Sequence, residues 1–272
     1  MDIKEINLEE IIERALDENG IALDNADGKK ITALAGIAEH LIKANSVMNL
    51  TAITDPEDIA SKHIADSLTC LSYIPQGARL IDIGSGAGFP SLPIAVARPD
   101  LSVVALDSTA KKMSYISSTA SELGLRNIKT AVGRAEEFCA PAPKGKRQNG
   151  NRKKAGGAKT AADQPEKVEY RERFDAACAR AVARLNILCE LALPFVKPGG
   201  VFIAMKSRLS DIELEEAAGA ISVLGGELIS CDHFSLKCKD ELQERSIIAI
   251  KKVSRTPSCY PRQYSQISKK PL

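Results

Sequence analysis

The sequence predicts an α/β fold with a mostly parallel seven-stranded sheet and an N-terminal helical cap. From residue 78 onward, short apolar runs alternate with stretches of helical spacing, which is the pattern of successive strand–helix–strand units. The last two apolar runs follow Gly225 and Gly226 without room for a helix between them, so they predict an antiparallel hairpin at the sheet edge. A glycine-rich loop directly follows the first run, where sheets of this kind bind ligands.

The chain has 272 residues, a length that fits one α/β domain with an appendage better than two full domains. Hydrophobic residues make up 44% and charged residues 26%, which argues against a disordered or a membrane protein. The first residues are acidic, and no apolar run approaches the length that crosses a bilayer. We therefore expect a cytoplasmic protein without membrane contact.

The helical cap is predicted to span 1–75. Asn7 with Glu10 three residues later resembles a capping box, and Gly20 lies where a helix would stop. Pro56 marks another helix start, after which apolar residues recur every three or four positions.

The sheet domain is predicted to span 76–253, which leaves a basic C-terminal tail at 254–272. Five crossover strands followed by a hairpin are the usual plan of a class I S-adenosylmethionine-dependent methyltransferase, which is a Rossmann-like fold. The seven predicted strands are RLIDIG (79–84), LSVVALD (101–107), IKTAV (128–132), FDAACAR (174–180), VFIAMK (201–206), ELISCDHF (227–234) and SIIAIKK (246–252).

A low-complexity insert is predicted at 141–169, because this stretch is rich in Gly, Ala, Lys and Pro and has almost no large apolar residues. The net charge of +2 depends on this basic region and its C-terminal flank, since the rest of the chain is net acidic. We expect a disordered loop between two strands. A solvated linker is the favoured interpretation, and a tether that attracts RNA is the alternative.

The seven cysteines are scattered and form no CxxC pair, so we expect reduced, mostly structural thiols. Cys231, His233 and Cys238 fall in an apparent strand and turn and lack a fourth ligand at zinc-like spacing. We therefore expect no metal site.

The loop at 82–90 indicates a cofactor site. Gly84, Gly86 and Gly88 allow a sharp turn and close approach of a ligand, and the helix that follows offers unpaired N–H groups. Asp107 closes the next strand, where its carboxylate can accept hydrogen bonds from ribose hydroxyls. The combination predicts an adenosine-containing cofactor, while a glycine-rich turn without a ligand is the structural alternative.

The spacing in this loop favours S-adenosylmethionine over a dinucleotide, because it follows DxGxGxG, beginning at Asp82, and not GxGxxG. Phe89 would supply apolar contact near the cofactor. Ala135 and Glu136 follow the third strand and could face adenine. Arg180 ends the fourth strand, where it could reach the cofactor edge or position a substrate.

Several motifs together resemble one family over nearly the whole chain outside the insert. They are Asn49-Leu50-Thr51, His63 with Asp66-Ser67-Leu68, DIGSGAGFP at 82–90, Leu106-Asp107-Ser108, Arg134–Phe138, Arg180-Ala181-Val182-Ala183 with Leu185, and Pro198–Lys206. This combination is similar to the ribosomal RNA small subunit methyltransferase G family, also called glucose-inhibited division protein B.

The resemblance implies S-adenosylmethionine as cofactor and 7-methylguanine as product, at the position conventionally numbered 527 of 16S ribosomal RNA. It implies 16S ribosomal RNA or the small subunit as partner, and we expect a monomer that does not bind DNA. A nicotinamide-dependent oxidoreductase and a noncatalytic RNA-binding module on the same fold remain the alternative functions. By resemblance, cofactor contacts fall on Gly84, Phe89, Ala135, Glu136 and Arg180.

Two motifs of methyltransferases with other acceptors are absent, which leaves O-methylation open, so the N7 assignment rests on the resemblance. The segment 178–183 after the fourth strand carries no [DN]PP[YF] sequence of the kind that holds an exocyclic amine, and the cysteines do not form the arrangement of cytosine-C5 enzymes. Guanine N7 presents a lone pair and has no proton to remove, so alignment is the main requirement. Arg180 is therefore predicted to position the reactants, without a general base.

Basic residues outside the insert are predicted to contact RNA phosphates. The predicted set is Arg184, Lys206, Lys251, Lys252, Arg255 and Arg262.

Overall fold

The computed structural model describes residues 6–24, 28–140, 170–207 and 210–272, and the predicted insert at 141–169 lies outside them. Helices form the N-terminal part, as predicted. The side-chain oxygen of Asn7 accepts a hydrogen bond from the Glu10 amide at 3.3 Å and so caps the first helix. The cap contains α1 (Leu8–Glu18), α2 (Lys29–Met48), α3 (Pro56–Asp58) and α4 (Asp66–Leu68), the last two joined by a π-helical segment at Ile59–Ala65.

The described residues form a seven-stranded sheet with the order β3-β2-β1-β4-β5-β7-β6. β7 runs antiparallel to β5 and β6, and the other neighbouring pairs are parallel. This arrangement confirms the predicted fold class, including the terminal hairpin. The strands are β1 (Arg79–Ile83), β2 (Ser102–Asp107), β3 (Ile128–Val132), β4 (Phe174–Arg180), β5 (Val196–Lys206), β6 (Gly226–Cys238) and β7 (Glu241–Lys252).

The strand bounds differ from the sequence-based expectation mainly at the hairpin. β6 and β7 together extend to a tight connection at Cys238–Glu241, well beyond the apolar runs. The residues added at the hairpin tip are mostly polar, and apart from Arg245, which pairs with Phe234, they pair with each other, so apolar periodicity does not detect them.

Two layers of helices cover the sheet because neighbouring strand residues face opposite sides. Leu80 belongs, on one side of the sheet, to the same buried cluster as Leu34 of the cap. Ile81 packs on the other side with Leu188 and Ala220. The helices of this domain are α5 (Ser91–Ala97), α6 (Ala110–Glu122), α7 (Ala135–Phe138), α8 (Leu185–Ala192), α9 (Ser210–Val223) and α10 (Tyr264–Lys269).

The C-terminal segment 254–272 packs on the sheet domain. Ile267 of α10 is buried in the layer that contains α8 and α9. The Arg171 guanidinium donates hydrogen bonds to the carbonyl oxygens of Thr256 and Tyr260, at 2.7 Å each. Among the helices of the described residues, none is long and apolar enough to cross a membrane.

Candidate active site

The glycine loop is attached to β2 by backbone hydrogen bonds. The amides of Gly84 and Ser85 donate to the Leu106 carbonyl at 2.8 and 3.0 Å, and the Ser85 hydroxyl accepts from the Leu106 amide at 3.1 Å. Gly84 has a φ of +74°, and a Cβ there would lie 2.7 Å from a methyl carbon of Val182. The loop therefore has a fixed shape at the carboxyl ends of β1 and β2, and Gly84 cannot carry a side chain.

Asp107 completes the rim of this loop. Its Oδ2 accepts a hydrogen bond from the Gly86 amide at 3.2 Å, and its Oδ1 accepts one from the Thr109 amide at 2.8 Å. The side chain is only partly buried, so oxygen lone pairs remain accessible to ribose hydroxyls. The structure thus brings together Gly84, Gly86 and Asp107, as predicted for a nucleoside site.

Gly88 has a different environment from the other two glycines of the motif. It is buried, and a Cβ there would lie 2.5 Å from Cδ1 of Leu92 and 3.2 Å from Cγ1 of Ile116. Gly88 therefore allows the loop to pack closely on the helices behind it, and its contact with the cofactor stays a prediction.

An unpartnered carboxylate lies under the loop. Asp82 is fully buried, and neither of its oxygens has a partner within normal hydrogen-bond geometry among the described residues, although Ser85 and Ser91 are close enough to favour its charged form. Burial raises the pKa of Asp82 to about 6. A buried carboxylate at this place suits a cofactor that carries positive charge, as the sulfonium and ammonium groups of S-adenosylmethionine do, and disfavours the anionic pyrophosphate of a dinucleotide.

Arg180 joins the sheet to the cap at the edge of the loop. Its Nη1 donates to Oδ2 of Asp66 at 2.8 Å and to the Lys62 carbonyl at 3.0 Å, and its Nη2 lies 3.3 Å from Nδ1 of His63. The guanidinium carbon is 5.8 Å from the centroid of the Phe89 ring. Arg180 and Phe89, both predicted from sequence, therefore lie side by side.

His63 is a neutral member of this group. Burial, and secondly the positive charge of Arg180, lower the pKa of His63 to about 4. Its Nε2 lies 2.9 Å from the Thr51 hydroxyl, so both ring nitrogens have polar neighbours. At neutral pH the imidazole holds its neighbours in place without adding charge.

A cleft of about 610 Å³ opens beside Arg180, at the carboxyl ends of β4 and β5. Sequence reasoning missed Arg245, whose Nε donates to Oδ1 of Asp66 at 3.1 Å and which lines the cleft from β7. A charged residue directly before the buried run 246–250 was the available signal. The cleft is lined by Ile53, Lys62, His63, Asp66, Arg180, Ala181, Val182, Ala183, Met205, Lys206, Ser207, Glu213, Gln243 and Arg245.

The turn after β3 adjoins the rim on the other side. The Gly133 amide donates to the Asp107 carbonyl at 3.0 Å, which places the start of α7 next to the proposed ribose site. Ala135 is partly buried and Glu136 is buried at this start. Their contact with adenine stays a prediction.

The six basic residues predicted to bind RNA occupy different environments. Arg184, Lys251 and Arg255 are exposed, although Arg184 pairs with Glu216 at 2.5 Å. Lys206 lines the cleft, where its Nζ is 2.6 Å from a Glu213 oxygen.

Two of these residues require correction. Lys252 is 0% exposed, and its Nζ donates to the carbonyls of Leu193 and Leu224 at 2.9 Å each and to the Thr256 hydroxyl. It has no surface from which to contact a phosphate.

Arg262 is engaged in the interior of the C-terminal segment. Its Nη2 lies 2.6 Å from Oε2 of Glu190, a fully buried carboxylate, and its Nη1 donates to the Lys270 carbonyl at 3.0 Å. Arg262 therefore compensates a buried charge and anchors the segment to α8.

The family model described as rRNA small subunit methyltransferase G matches residues 30–149 and 158–246. The chain belongs to this family. The interruption of the family match, 150–157, falls inside the insert predicted from sequence.

Curated relatives in this family match most of their own length. The ribosomal RNA small subunit methyltransferase G of Lachnoclostridium phytofermentans is 43% identical over 234 residues, 85% of this chain and 85% of the relative. The protein of the same name from Limosilactobacillus fermentum is 39% identical over 263 residues, 95% of this chain and 96% of the relative.

Solved structures share the fold at low identity. The [4+2]-cyclase SpnF has a TM-score of 0.51 at 14% identity, covering 83% of this chain and 97% of the cyclase. A branched-chain polyamine synthase from Thermus thermophilus also has a TM-score of 0.51, at 10% identity, covering 82% of this chain and 65% of the synthase. This likeness supports the fold alone.

Proposed function

We propose that the protein transfers a methyl group from S-adenosylmethionine to N7 of a guanine in 16S ribosomal RNA, at the position conventionally numbered 527. The observation that carries the proposal is the cleft beside Arg180, which adjoins the proposed nucleoside site at Gly86 and Asp107. The family to which the chain belongs supports the same reaction. The unpartnered Asp82 carboxylate argues against a nicotinamide-dependent oxidoreductase. A noncatalytic RNA-binding module has no need of the cofactor rim.

The residues present fit the cofactor. Asp107 would accept hydrogen bonds from the ribose, the backbone at Gly84 and Gly86 would allow close approach, and Ala135 with Glu136 would face adenine. When bound, S-adenosylmethionine supplies an electrophilic methyl group on a sulfonium. The chain contributes binding and orientation.

The reaction requires alignment more than proton transfer, because guanine N7 has a lone pair and no proton to lose. Arg180 is held by Asp66 and the neighbouring His63 imidazole is neutral, so neither group is arranged as a strong base. We assign Arg180 to positioning the guanine against the methyl group. Met205, which is buried in the cleft wall, supplies an apolar surface for the base.

The RNA partner is proposed to lie across the open side of the cleft. Arg184 directly follows the cleft residues 180–183 and Lys206 lies within the cleft, each paired with a glutamate of α9. Lys251 pairs with Val201 and so lies, with Arg255, toward the other end of β5, away from the cleft; these two are proposed to contact phosphates of a more distant part of the RNA. The partner would be free 16S ribosomal RNA or the small subunit during assembly. We propose that the protein acts in the cytoplasm as a monomer.

Methylation of ribosomal RNA and of small subunits from cells that lack this protein tests the proposal. Borohydride reduction and aniline cleavage should reveal a 7-methylguanine at one site, formed by the wild-type protein and not by Arg180→Ala. Arg126→Ala, at an exposed arginine before β3, should retain the activity. A product at an exocyclic nitrogen, a carbon or a ribose oxygen would refute the N7 assignment. Binding of S-adenosylhomocysteine without any transfer would favour the noncatalytic module.

A further inference from the structure

Three potential metal ligands meet on the surface between α9 and β6, away from the glycine loop. Nε2 of His233 lies 3.1 Å from Oδ1 of Asp211 and 3.6 Å from Sγ of Cys231. Sγ of Cys231 lies 3.9 Å from the same Asp211 oxygen. One donor atom from each residue therefore occupies a corner of a small triangle.

The fold produces this triangle from two elements. Cys231 and His233 are two positions apart on β6, so their side chains point to the same face of the sheet. Cys231 pairs with Ile248 of β7 and His233 pairs with Ser246, so the register of the hairpin fixes their positions. Asp211 is the second residue of α9, a helix that packs on β6.

The sequence-based expectation of no metal considered a different third residue. Cys238 is seven positions after Cys231, an odd number, so it faces the other side of the strand. It is buried there against the layer that contains the cap, with Ser61 as a neighbour. Asp211 is distant in sequence from β6, and only the folded chain brings it to the two other ligands.

The dimensions of the triangle match tetrahedral coordination of zinc. Bonds of about 2.0–2.1 Å to nitrogen and oxygen and about 2.3 Å to sulfur place tetrahedral ligand atoms about 3.4 Å apart for N with O, and about 3.6 Å apart for S with either. The observed sides of 3.1, 3.6 and 3.9 Å each lie within a few tenths of an ångström of these values. A single ion can therefore bind all three atoms with small side-chain adjustments.

We propose that Asp211, Cys231 and His233 form a Zn²⁺ site with three protein ligands and an open fourth position. A thiolate, an imidazole and a carboxylate are all established zinc ligands, and this mixture does not suit Mg²⁺ or Ca²⁺, which bind through oxygen. A cleft of about 440 Å³ contacts Asp211 and His233 and leaves room for water or another ligand at the fourth position. The ion would tie the start of α9 to β6.

The clustering of the three side chains could instead reflect a simple hydrogen bond between His233 and Asp211, which gives Cys231 no role. Substitution of Cys231 therefore distinguishes a metal site from a hydrogen bond. Cys259 provides a matched control, because it is a free and exposed cysteine in the C-terminal segment.

The test titrates Co²⁺ and then Zn²⁺ into reduced, tag-free protein. We expect one equivalent of Co²⁺ to give a thiolate-to-cobalt charge-transfer band, which one equivalent of Zn²⁺ abolishes. Cys231→Ser should remove the band and Cys259→Ser should retain it. Losing an outer-shell partner of a metal site already lowers metal affinity by about 10- to 100-fold. Loss of a direct ligand in Cys231→Ser, His233→Gln or Asp211→Asn should therefore lower Zn²⁺ affinity by about 100-fold or more. Competition with a chromophoric chelator measures this affinity.

Thermal melting provides a second readout. Zn²⁺ should raise the melting temperature of the wild type and of Cys259→Ser, and should leave that of Cys231→Ser unchanged. Circular dichroism of the variants without metal checks that each is folded. The proposal is overturned if the folded Cys231→Ser protein binds Co²⁺ and Zn²⁺ as the wild type does, or if the wild type shows no thiolate band.

Discussion

The imidazole ring of His63 lies nearly parallel to the phenyl ring of Phe89, with the ring centroids 4.6 Å apart and an interplanar angle of 13°. His63 belongs to the helical cap and Phe89 to the glycine loop. The stack is therefore a direct contact between the cap and the proposed cofactor site. Arg180 lies against both rings, so the cap forms one wall of the cleft and positions the residues that face it.

The lowered pKa of His63 predicts a specific pH dependence of stability. Because its pKa is about 4 when folded and near 6.5 when unfolded, the unfolded chain binds more protons between these values. His63 therefore lowers the free energy of unfolding as the pH falls from 6.5 to 4. In urea unfolding at pH 7 and pH 5, the destabilisation caused by His63→Gln should be smaller at pH 5.

Asp82 titrates in the opposite direction, since its raised pKa makes the folded state gain protons first as the pH falls. The comparison between wild type and variant removes this shared contribution. An equal destabilisation by His63→Gln at both pH values would contradict the assignment of a neutral, buried imidazole.

Arg180→Lys should lower methyl transfer strongly while affecting cofactor affinity less. Lysine keeps the charge but cannot reproduce the forked contacts to Asp66 and the cap backbone. Asp66 retains Arg245 as a partner, so the melting temperature should fall only modestly. Single-turnover rates with calorimetry of S-adenosylhomocysteine separate these effects. Normal turnover in the folded variant would show that Arg180 has a structural role only.

Asp107→Asn should weaken S-adenosylhomocysteine binding by about 1–3 kcal/mol, or about 5- to 160-fold, because one charged acceptor for the ribose is lost. The amide keeps an oxygen for the Thr109 amide but loses the acceptor for the Gly86 amide, so weaker attachment of the glycine loop adds to the loss of affinity. Asp175→Asn is the matched control. Asp175 lies at the amino end of β4, far from the carboxyl ends where the cofactor is proposed to bind, so this variant should bind S-adenosylhomocysteine normally. Unchanged affinity in folded Asp107→Asn would remove the ribose assignment.

The sheet could be predicted because its signals are local. The loop after β1 needs glycine at Gly84 for its backbone shape, and Asp107 follows at the end of the next strand, so one stretch of sequence reports both the fold and the cofactor rim. Parallel strands then bring Arg180 to the same edge. Gly84, Asp107 and Arg180 could be identified from sequence because each follows or ends a predicted strand.

Residues that meet through long-range packing could not be predicted in the same way. Asp66 accepts from Arg180 and Arg245, which are on different strands, and no spacing along the chain reveals this shared partner. Asp211 likewise reaches β6 only through the packing of α9. Lys252 lies on the same face of β7 as the buried Ile248 and Ile250, but Ile247 and Ala249 are buried as well, so no alternation along the strand marks that face. Its charge led to the opposite expectation of exposure.

Lys251 and Lys252 are neighbours of the same type on opposite faces of β7, and they should respond oppositely to substitution. Lys251→Gln removes an exposed charge, so the melting temperature should stay the same while RNA affinity falls and becomes less sensitive to salt. Lys252→Met leaves the carbonyls of Leu193 and Leu224 without their donor, which should cost about 1–3 kcal/mol per buried group in free energy of unfolding.

RNA binding measured across a series of salt concentrations, together with urea unfolding, distinguishes the two lysines. Lys252→Met should keep the salt slope of the wild type under conditions where it is folded, because the buried ammonium group makes no phosphate contact. A salt slope reduced by Lys252→Met and unchanged by Lys251→Gln would contradict the placement of the two side chains. The reverse result would locate part of the RNA surface on the exposed face of β7, next to the exposed Arg255.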